Sequence, residues 1–432
     1  MVRFLYNLLF PVVLLFMLPG FLIRMLRRGN YRHKFGQRFA IYSLRTRARL
    51  QKFRGECLWV HAVSVGEVLI ALKFIRVVQQ QAGLPIVLST TTSTGFALAS
   101  KHRSDSVEVI YHPVDFWWSV RRAMQLIRPR ALVMVEAEVW PNLVAEAKAL
   151  GAPAVIINAR LSPRSERRYR LIRPISALIF AQLDRVFVQD PSDLERLEGI
   201  GMPAAALECT GSIKFDYRQE PAVDAGKQQA WLTAMGVPPI QPVLLAASTH
   251  AGEERLMAEI FQRLRRQFPD LFLVLVPRHA ERGAAIEAEI ASLGFRINRV
   301  GRGKGPHPAD ILIADTTGEL RGWIEVADLV FIGKSLLGSG GQNPAEAVVA
   351  GKPVLFGPHM ENFAAFVALL KGFHGCTQAE SAAELEAALT HLLTHPEECT
   401  QQVERATRAL KPHQGATRRT WEELAPLLNP AA

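Results

Sequence analysis

The stretch Trp59-Val60-His61-Ala62-Val63-Ser64-Val65-Gly66-Glu67 decides the fold. Cys57 to His61 is a short apolar run ending in turn-formers, and from Glu67 the apolar residues Val68, Leu69, Leu72 and Ile75 recur at helical spacing. Ser64-Val65-Gly66 is therefore a strand-to-helix loop. Glu67 opens the helix, where the helix dipole favours a carboxylate. Two readings of Glu67 stand side by side. It is an ordinary helix N-terminal acid, or it is a general base at the carboxyl edge of a sheet, where open α/β sheets bind ligands.

The same alternation runs outward from this stretch. Short apolar segments at 57–61, 85–90, 107–111, 131–135, 153–158 and 185–188 read as strands, most of them followed by a helical segment. A second series reads as strands at 243–247, 271–276, 295–298, 310–313, 329–332 and 353–356, with helices at 253–267, 282–293 and 343–350. This pattern predicts α/β architecture: two doubly wound parallel sheets with helices on both faces. Pro221, Pro238, Pro239, Gly226 and Gly236 mark residues 216–240 as a linker with one short helix near 223–235. The expected organisation is an N-terminal anchor (1–28), a first Rossmann-like domain (29–215), the linker (216–240), a second Rossmann-like domain (241–410) and a terminal helix (411–432) crossing back to the first domain.

Composition narrows the function. The chain has 432 residues, 49% hydrophobic and 21% charged, which fits globular domains and not a disordered chain. Cys57, Cys209, Cys376 and Cys399 are scattered without metal or redox spacing and read as reduced thiols facing the cytosol. The net charge of +11 suits nucleic acid, an anionic membrane or a phosphorylated substrate. Phe4 to Ile23 carries no charge, and Arg24, Arg27, Arg28, Arg32, Lys34 and Arg38 follow it. That reads as a membrane anchor, spanning or monotopic, with the body on the cytoplasmic side. No small-residue cleavage site marks it as a removable signal.

Strand-end loops carry the candidate chemistry. Glu138 sits in Glu136-Ala137-Glu138-Val139-Trp140-Pro141-Asn142 after an apolar strand, so two acids at two strand ends point to paired carboxylates. Arg160, Arg164, Arg167, Arg168, Arg170 and Arg173 are a solvated basic face or a grip for phosphate headgroups. Nucleic acid fits less well, because no aromatic platform interleaves them. Lys214 in Thr210-Gly211-Ser212-Ile213-Lys214-Phe215-Asp216 is a solvated lysine or a charge that offsets a leaving phosphate. In the second half, Ser248-Thr249-His250, Pro277-Arg278-His279, Thr316-Thr317-Gly318-Glu319-Leu320 and Gly340-Gly341-Gln342-Asn343-Pro344-Ala345-Glu346 all follow strands. Glycines and helix starts there suit a nucleotide phosphate. Neither a Walker spacing nor GxGxxG after the first strand is present.

Together, His61-Ala62-Val63-Ser64-Val65-Gly66-Glu67, Glu138-Val139-Trp140-Pro141-Asn142, Thr210 to Asp216, Pro277-Arg278-His279, Gly340 to Pro344 and Gly351-Lys352-Pro353-Val354-Leu355-Phe356-Gly357-Pro358 resemble the 3-deoxy-D-manno-octulosonic acid (Kdo) transferases of lipopolysaccharide assembly. The likeness covers nearly the whole chain. It implies a GT-B fold, two Rossmann-like domains facing across a cleft. It also implies transfer of Kdo from CMP-Kdo to a lipid A precursor at the inner membrane, inverting the anomeric carbon, without metal or cofactor. By that resemblance Glu67 is the general base, Glu138 and Lys214 stabilise the transition state, and Pro277, Arg278, Gly318, Glu319, Leu320, Asn343, Pro344, Ala345 and Glu346 hold CMP. One departure is Gln342, where the family pattern implies His; Gln donates a hydrogen bond but carries no charge. The competing enzyme reading is another GT-B transferase or epimerase using a UDP-sugar. The non-enzyme reading is a tethered scaffold that binds acidic lipids through Arg160 to Arg173.

Overall fold

The computed structural model describes residues 2–28, 34–136, 139–217, 224–238, 240–302 and 305–428. They form two compact units, Met1–Asp216 with His413–Ala432, and Tyr217–Pro412.

The first unit holds seven strands: β1 (Leu58–His61), β2 (Ile86–Thr90), β3 (Val107–Tyr111), β4 (Ala131–Val135), β5 (Ala154–Ala159), β6 (Arg185–Val188) and β7 (Leu207–Cys209). Their order is β3-β2-β1-β4-β5-β6-β7, and every neighbouring pair is parallel. β1 to β5 are buried on both faces, which is why they read as unbroken apolar runs. Helices cover the two faces, and the core divides into clusters around Trp59 and Met134 on one side and Phe74 and Val133 on the other. The last helix, Ala416–Leu424, also belongs here: the Asp216 carboxylate accepts from Gly415 N (2.9 Å) and Thr417 N (2.8 Å), and Trp421 meets Phe74 edge-on.

The second unit repeats the plan with β8 (Val243–Thr249), β9 (Phe272–Pro277), β10 (Ile297–Arg299), β11 (Ile311–Ile313), β12 (Leu329–Ile332), β13 (Val354–Phe356) and β14 (Thr377–Gln378). The order is β10-β11-β9-β8-β12-β13-β14, again all parallel. The helix Gly226–Ala234, expected within the linker, is part of this unit. Its Lys227 pairs with Glu319, and its Gln228 side chain fills the space beside Gly322. The strands missing from the sequence reading are β7 and β14, three and two residues long at sheet edges. They are too short to show a period. All four cysteines are free thiols.

Each sheet has a crossover point next to its first strand, between β1 and β4 in the first and between β8 and β12 in the second. The helices that follow the two strands at such a point leave toward opposite faces. A crevice opens between them at the carboxyl ends.

The N-terminal segment bears on the expected anchor. It is a helix, Val2–Arg28, but among the described residues no helix is long and apolar enough to cross a membrane. The polar side chains of its first two turns are committed to the protein instead. Arg3 pairs with Glu146 and donates to Asn142 Oδ1 (3.0 Å), Asn7 exchanges hydrogen bonds with Asn142, and Tyr6 donates to Asp115. Phe4, Leu8, Val12 and Phe16 remain exposed on the outer side.

Asp115 anchors that junction. Its carboxylate accepts from Asn142 N and Leu143 N, both at 3.0 Å, at the start of the helix Pro141–Ala149. Burial, opposed by those hydrogen bonds, pushes its pKa up to about 7. The folded protein therefore holds this proton more tightly than the unfolded chain does. The associated stability is fully present below about pH 4 and is lost as pH rises through about 7. Thermal unfolding of the native protein and Asp115→Asn across that window tests this. The native protein should lose stability relative to the variant as pH rises, and parallel curves would refute the assignment.

Candidate functional site

In the first unit the crevice at the β1/β4 reversal is built from Glu67 upward. Ser64 caps the helix Val65–Ala82, its Oγ accepting from Glu67 N at 3.3 Å. The Glu67 carboxylate turns back, Oε1 accepting from Ser64 Oγ (2.9 Å) and Oε2 from Val63 N (2.8 Å). This reciprocal cap locks the loop after β1. It leaves Glu67 8% exposed, and burial raises its pKa against the pull of the Val63 and Ser64 hydrogen bonds.

Across the reversal, β4 ends at Glu136, whose backbone sits at φ 64°. A non-glycine residue there is strained, and such strain gathers at functional sites. Burial raises the Glu136 pKa first and the Glu67 charge raises it further, while Lys214 and Arg160 lower it. Two carboxyls and two cations thus share one electrostatic cluster at the carboxyl ends of β1 and β4. Lys214 reaches it from the turn Ile213–Phe215. Asn158, itself at φ 55°, fixes that turn by accepting from Ile213 N at 2.8 Å, and Lys73 donates to the carbonyls of Ile213, Lys214 and Asp216. Glu138 lies outside the described residues.

Glu136 and Asn158 are the members that the sequence reading did not single out, and Arg160, expected there within a basic cluster, joins them here. Glu136 was visible as the first acid of Glu136-Ala137-Glu138, and its unusual backbone is what distinguishes it. His61 lies deeper, stacked on His112 at 3.8 Å with Nδ1 2.9 Å from Ser89 Oγ; burial pulls its pKa down to about 4. It is a neutral packing group.

The second unit builds its crevice around Glu253. This carboxylate is fully buried and accepts from four backbone amides: His250 N (3.0 Å), Lys334 N (2.6 Å), Ser335 N (3.1 Å) and Leu336 N (3.3 Å). It ties the loop after β8 to the loop after β12. Glu254 beside it takes both arms of Arg282, at 2.7 and 3.1 Å. Gly333 is required where the loops cross, since a Cβ there would lie 2.5 Å from Ser248 O.

Around this frame the structure brings several expected residues together. Arg278 follows β9, its N–H bonded to Thr249 O at 3.0 Å, and its exposed guanidinium forms no ion pair or side-chain hydrogen bond among the described residues. The Gln342 amide lies 3.1 Å from His250 Nε2. Asn343 Oδ1 accepts from Ala345 N at 3.1 Å, past Pro344 at the start of the helix Ala345–Val349 that carries Glu346. This helix packs against Leu320–Glu325, so the Gly318-Glu319-Leu320 and Asn343-Pro344-Ala345-Glu346 segments are neighbours. Glu319, however, is occupied. Burial alone would raise its pKa, but Lys227 and Thr316 outweigh that and hold it low. It braces the loop. Pro277 is the buried last residue of β9. Among the described residues no three His, Cys, Asp or Glu side chains gather as metal ligands.

Comparison with known proteins identifies relatives of the chain. A family model described as "3-Deoxy-D-manno-octulosonic-acid transferase (kdotransferase)" matches residues 33–217. The chain is 36% identical over 380 residues to the 3-deoxy-D-manno-octulosonic acid transferase of Bordetella pertussis, covering 85% of this chain and 86% of that one. It is 31% identical over 402 residues to the enzyme of the same name from Haemophilus influenzae, with 92% of each covered. Among solved structures, UDP-GlcNAc 2-epimerase from Neisseria meningitidis bound to UDP-GlcNAc superimposes with a TM-score of 0.51 at 14% identity, over 85% of this chain and 99% of that chain. That likeness concerns the fold.

The buried Glu253 makes a prediction of its own. Removing the charge while keeping the shape, Glu253→Gln, replaces one of its two acceptor oxygens with a donor facing backbone N–H groups. We expect a stability loss of about 2–4 kcal/mol and faster hydrogen exchange at the amides of Lys334, Ser335 and Leu336. Unchanged exchange at those amides would show that the carboxylate does not hold the loop.

Proposed function

The chain belongs to the Kdo transferase family, and from that premise we propose that it moves Kdo from CMP-Kdo to a hydroxyl of a lipid A precursor, inverting the anomeric carbon. The family places it as a glycosyltransferase of Kdo in lipopolysaccharide biosynthesis. The observation that carries the mechanistic reading is the cluster at the first reversal, with Glu67 and Glu136 on adjacent strand ends and Lys214 and Arg160 beside them.

In this reading Glu67 is the base. A carboxylate whose pKa is raised by burial holds a proton more readily near neutral pH than an ordinary glutamate, as general base catalysis requires. It takes the proton of the acceptor hydroxyl as that oxygen bonds the anomeric carbon. The bond from that carbon to the CMP phosphate oxygen breaks, and the electron pair leaves with CMP. Lys214, with Glu138, stabilises the charge that develops. Pro277, Arg278, Gly318, Glu319, Leu320, Asn343, Pro344, Ala345 and Glu346 receive CMP, with the guanidinium of Arg278 as a phosphate partner. The exposed apolar side of the helix Val2–Arg28 supports a monotopic hold on the inner membrane, the catalytic body facing the cytoplasm.

Because Glu67 also closes a cap, the discriminating substitution is Glu67→Gln. It keeps the capping oxygen but cannot accept a proton. We expect CMP-Kdo to bind as before while transfer falls by about 10²–10⁴, with product weighed by mass spectrometry. Full turnover would remove Glu67 from the role. The acid limb of the native pH–rate profile should lie above the ordinary glutamate range, because the working form is deprotonated and its pKa is raised.

A separate test concerns the nucleotide. Arg278→Ala and Glu346→Ala should each weaken CMP binding by about tenfold or more, and CMP should stabilise the native protein where UDP does not. Unchanged titrations for both variants would place the nucleotide elsewhere. Selective stabilisation by UDP would favour a UDP-sugar enzyme.

A further inference from the structure

We propose that the cavity between the helices Leu44–Phe53 and Trp117–Ile127 in the first unit is a binding site for a phosphate group. The cavity has a volume of about 540 Å³, and Tyr42, Arg47, Gln51, Arg54, Arg122 and Gln125 line it. No acidic residue contributes to its wall. Among the described residues the guanidiniums of Arg47, Arg54 and Arg122 form no ion pair or side-chain hydrogen bond.

Carboxylates are within reach of this region, but not of the cavity. Arg49, on the same helix as Arg47, pairs with buried Glu108 at 2.5 Å, and Arg103 reaches the same carboxylate at 3.0 Å. Three arginines without a carboxylate around one cavity concentrate positive charge on its wall.

A second observation comes from the wall itself. The Tyr42 hydroxyl is buried and has no hydrogen-bond partner. A buried polar group without a partner costs stability unless something occupies the space before it. Burial keeps the phenol protonated, and Arg122 is close enough to act on it. Three guanidiniums, two amides and a phenol supply many donors. Phosphate, with several acceptor oxygens and more than one negative charge, matches that inventory.

The surroundings indicate where such a phosphate would come from. Arg122 lies one turn beyond Trp118 on the helix Trp117–Ile127, and Gln125 lies a further turn along the same face. Trp117 and Trp118 are exposed, and Trp118 stacks on Phe39 and Phe116. On the same unit, Phe4 and Leu8 line a neighbouring cavity with Trp117 and Arg121. Tryptophan beside basic side chains is the arrangement that sits at the boundary of a lipid surface. The phosphate of an anionic lipid headgroup and a soluble phosphate share the recognition chemistry. The cavity wall includes none of the strand-end loops around Glu67, so the inference stands apart from the donor and acceptor assigned above.

The test uses the full chain and the variant Arg47→Gln/Arg54→Gln/Arg122→Gln, with Tyr42→Phe as a milder companion that removes only the hydroxyl. One arm measures co-sedimentation with vesicles of phosphatidylcholine mixed with phosphatidylglycerol, against phosphatidylcholine alone. The other titrates inorganic pyrophosphate calorimetrically at fixed ionic strength. We expect the triple variant to lose about tenfold or more in affinity and Tyr42→Phe to lose a few-fold, with unfolding temperatures near native. Loss in the vesicle arm alone assigns the site to a lipid headgroup, and loss in the pyrophosphate arm assigns it to a soluble phosphate. Native binding by both variants in both arms overturns the proposal. So does a loss reproduced by Arg164→Gln/Arg167→Gln/Arg168→Gln but absent from the cavity variants.

Discussion

A carboxylate turned back onto the amides of a strand-end loop is the device on which both units depend. In the first, Glu67 bonds Val63 N and Ser64 Oγ; in the second, Glu253 bonds His250 N and three amides of the loop after β12. Each residue opens the helix that follows the first strand of its sheet, where unpaired N–H groups and the helix dipole favour negative charge. The two differ in what remains available. Glu253 is fully buried with four backbone N–H donors, so its charge is spent on architecture. Glu67 keeps 8% exposure, a raised pKa and a second carboxyl nearby. The same local design serves as scaffold in one sheet and as candidate chemistry in the other, and burial decides which.

Backbone strain follows the same geography. Glu136 and Asn158 at the ends of β4 and β5, and Ser248 and Lys334 near the ends of β8 and β12, all have positive φ without being glycine. Each such residue costs on the order of 1–3 kcal/mol and persists only where surrounding bonds over-determine it. Here the bonds are visible: Glu136 N to Ile157 O, Asn158 Oδ1 to Ile213 N, and Lys334 N to Glu253. The Asn158 bond is the more telling, because it sets the turn that carries Lys214. Strain on one strand end thereby positions a cation beside the carboxyls of two others.

The strands were legible because this sheet type advertises itself. Strands buried on both faces carry few polar residues, so Leu58–His61 and Ala131–Val135 stand out as short, mostly apolar runs between helical segments. Strand order was not legible, since no local pattern tells β4 to lie beside β1 and β2 to lie on the other side. That order is what makes Glu67 and Glu136 neighbours. Glu136 was passed over because its distinguishing features, a left-handed backbone and a burial-raised pKa, are products of the fold. The protein contacts of the N-terminal helix were not legible for a related reason. Its charge-free run hides that Tyr6 and Asn7 have protein partners in Asp115 and Asn142.

Gln342 shows how the second crevice distributes its charge. Gln342 shares a hydrogen bond with His250, and burial lowers the pKa of that histidine while Lys334 and His279 lower it further against Glu253. The pair is therefore neutral at physiological pH. With Glu253 and Glu254 committed to amides and to Arg282, Arg278 and Lys334 are, among the described residues, cations near the ends of β8, β9 and β12 that are available to an anionic ligand. Arg278 holds its position through its own backbone bond to Thr249 O, and Lys334 through the Glu253 frame. The neutral Gln–His pair adds no charge there, which leaves geometry to discriminate one anionic ligand from another.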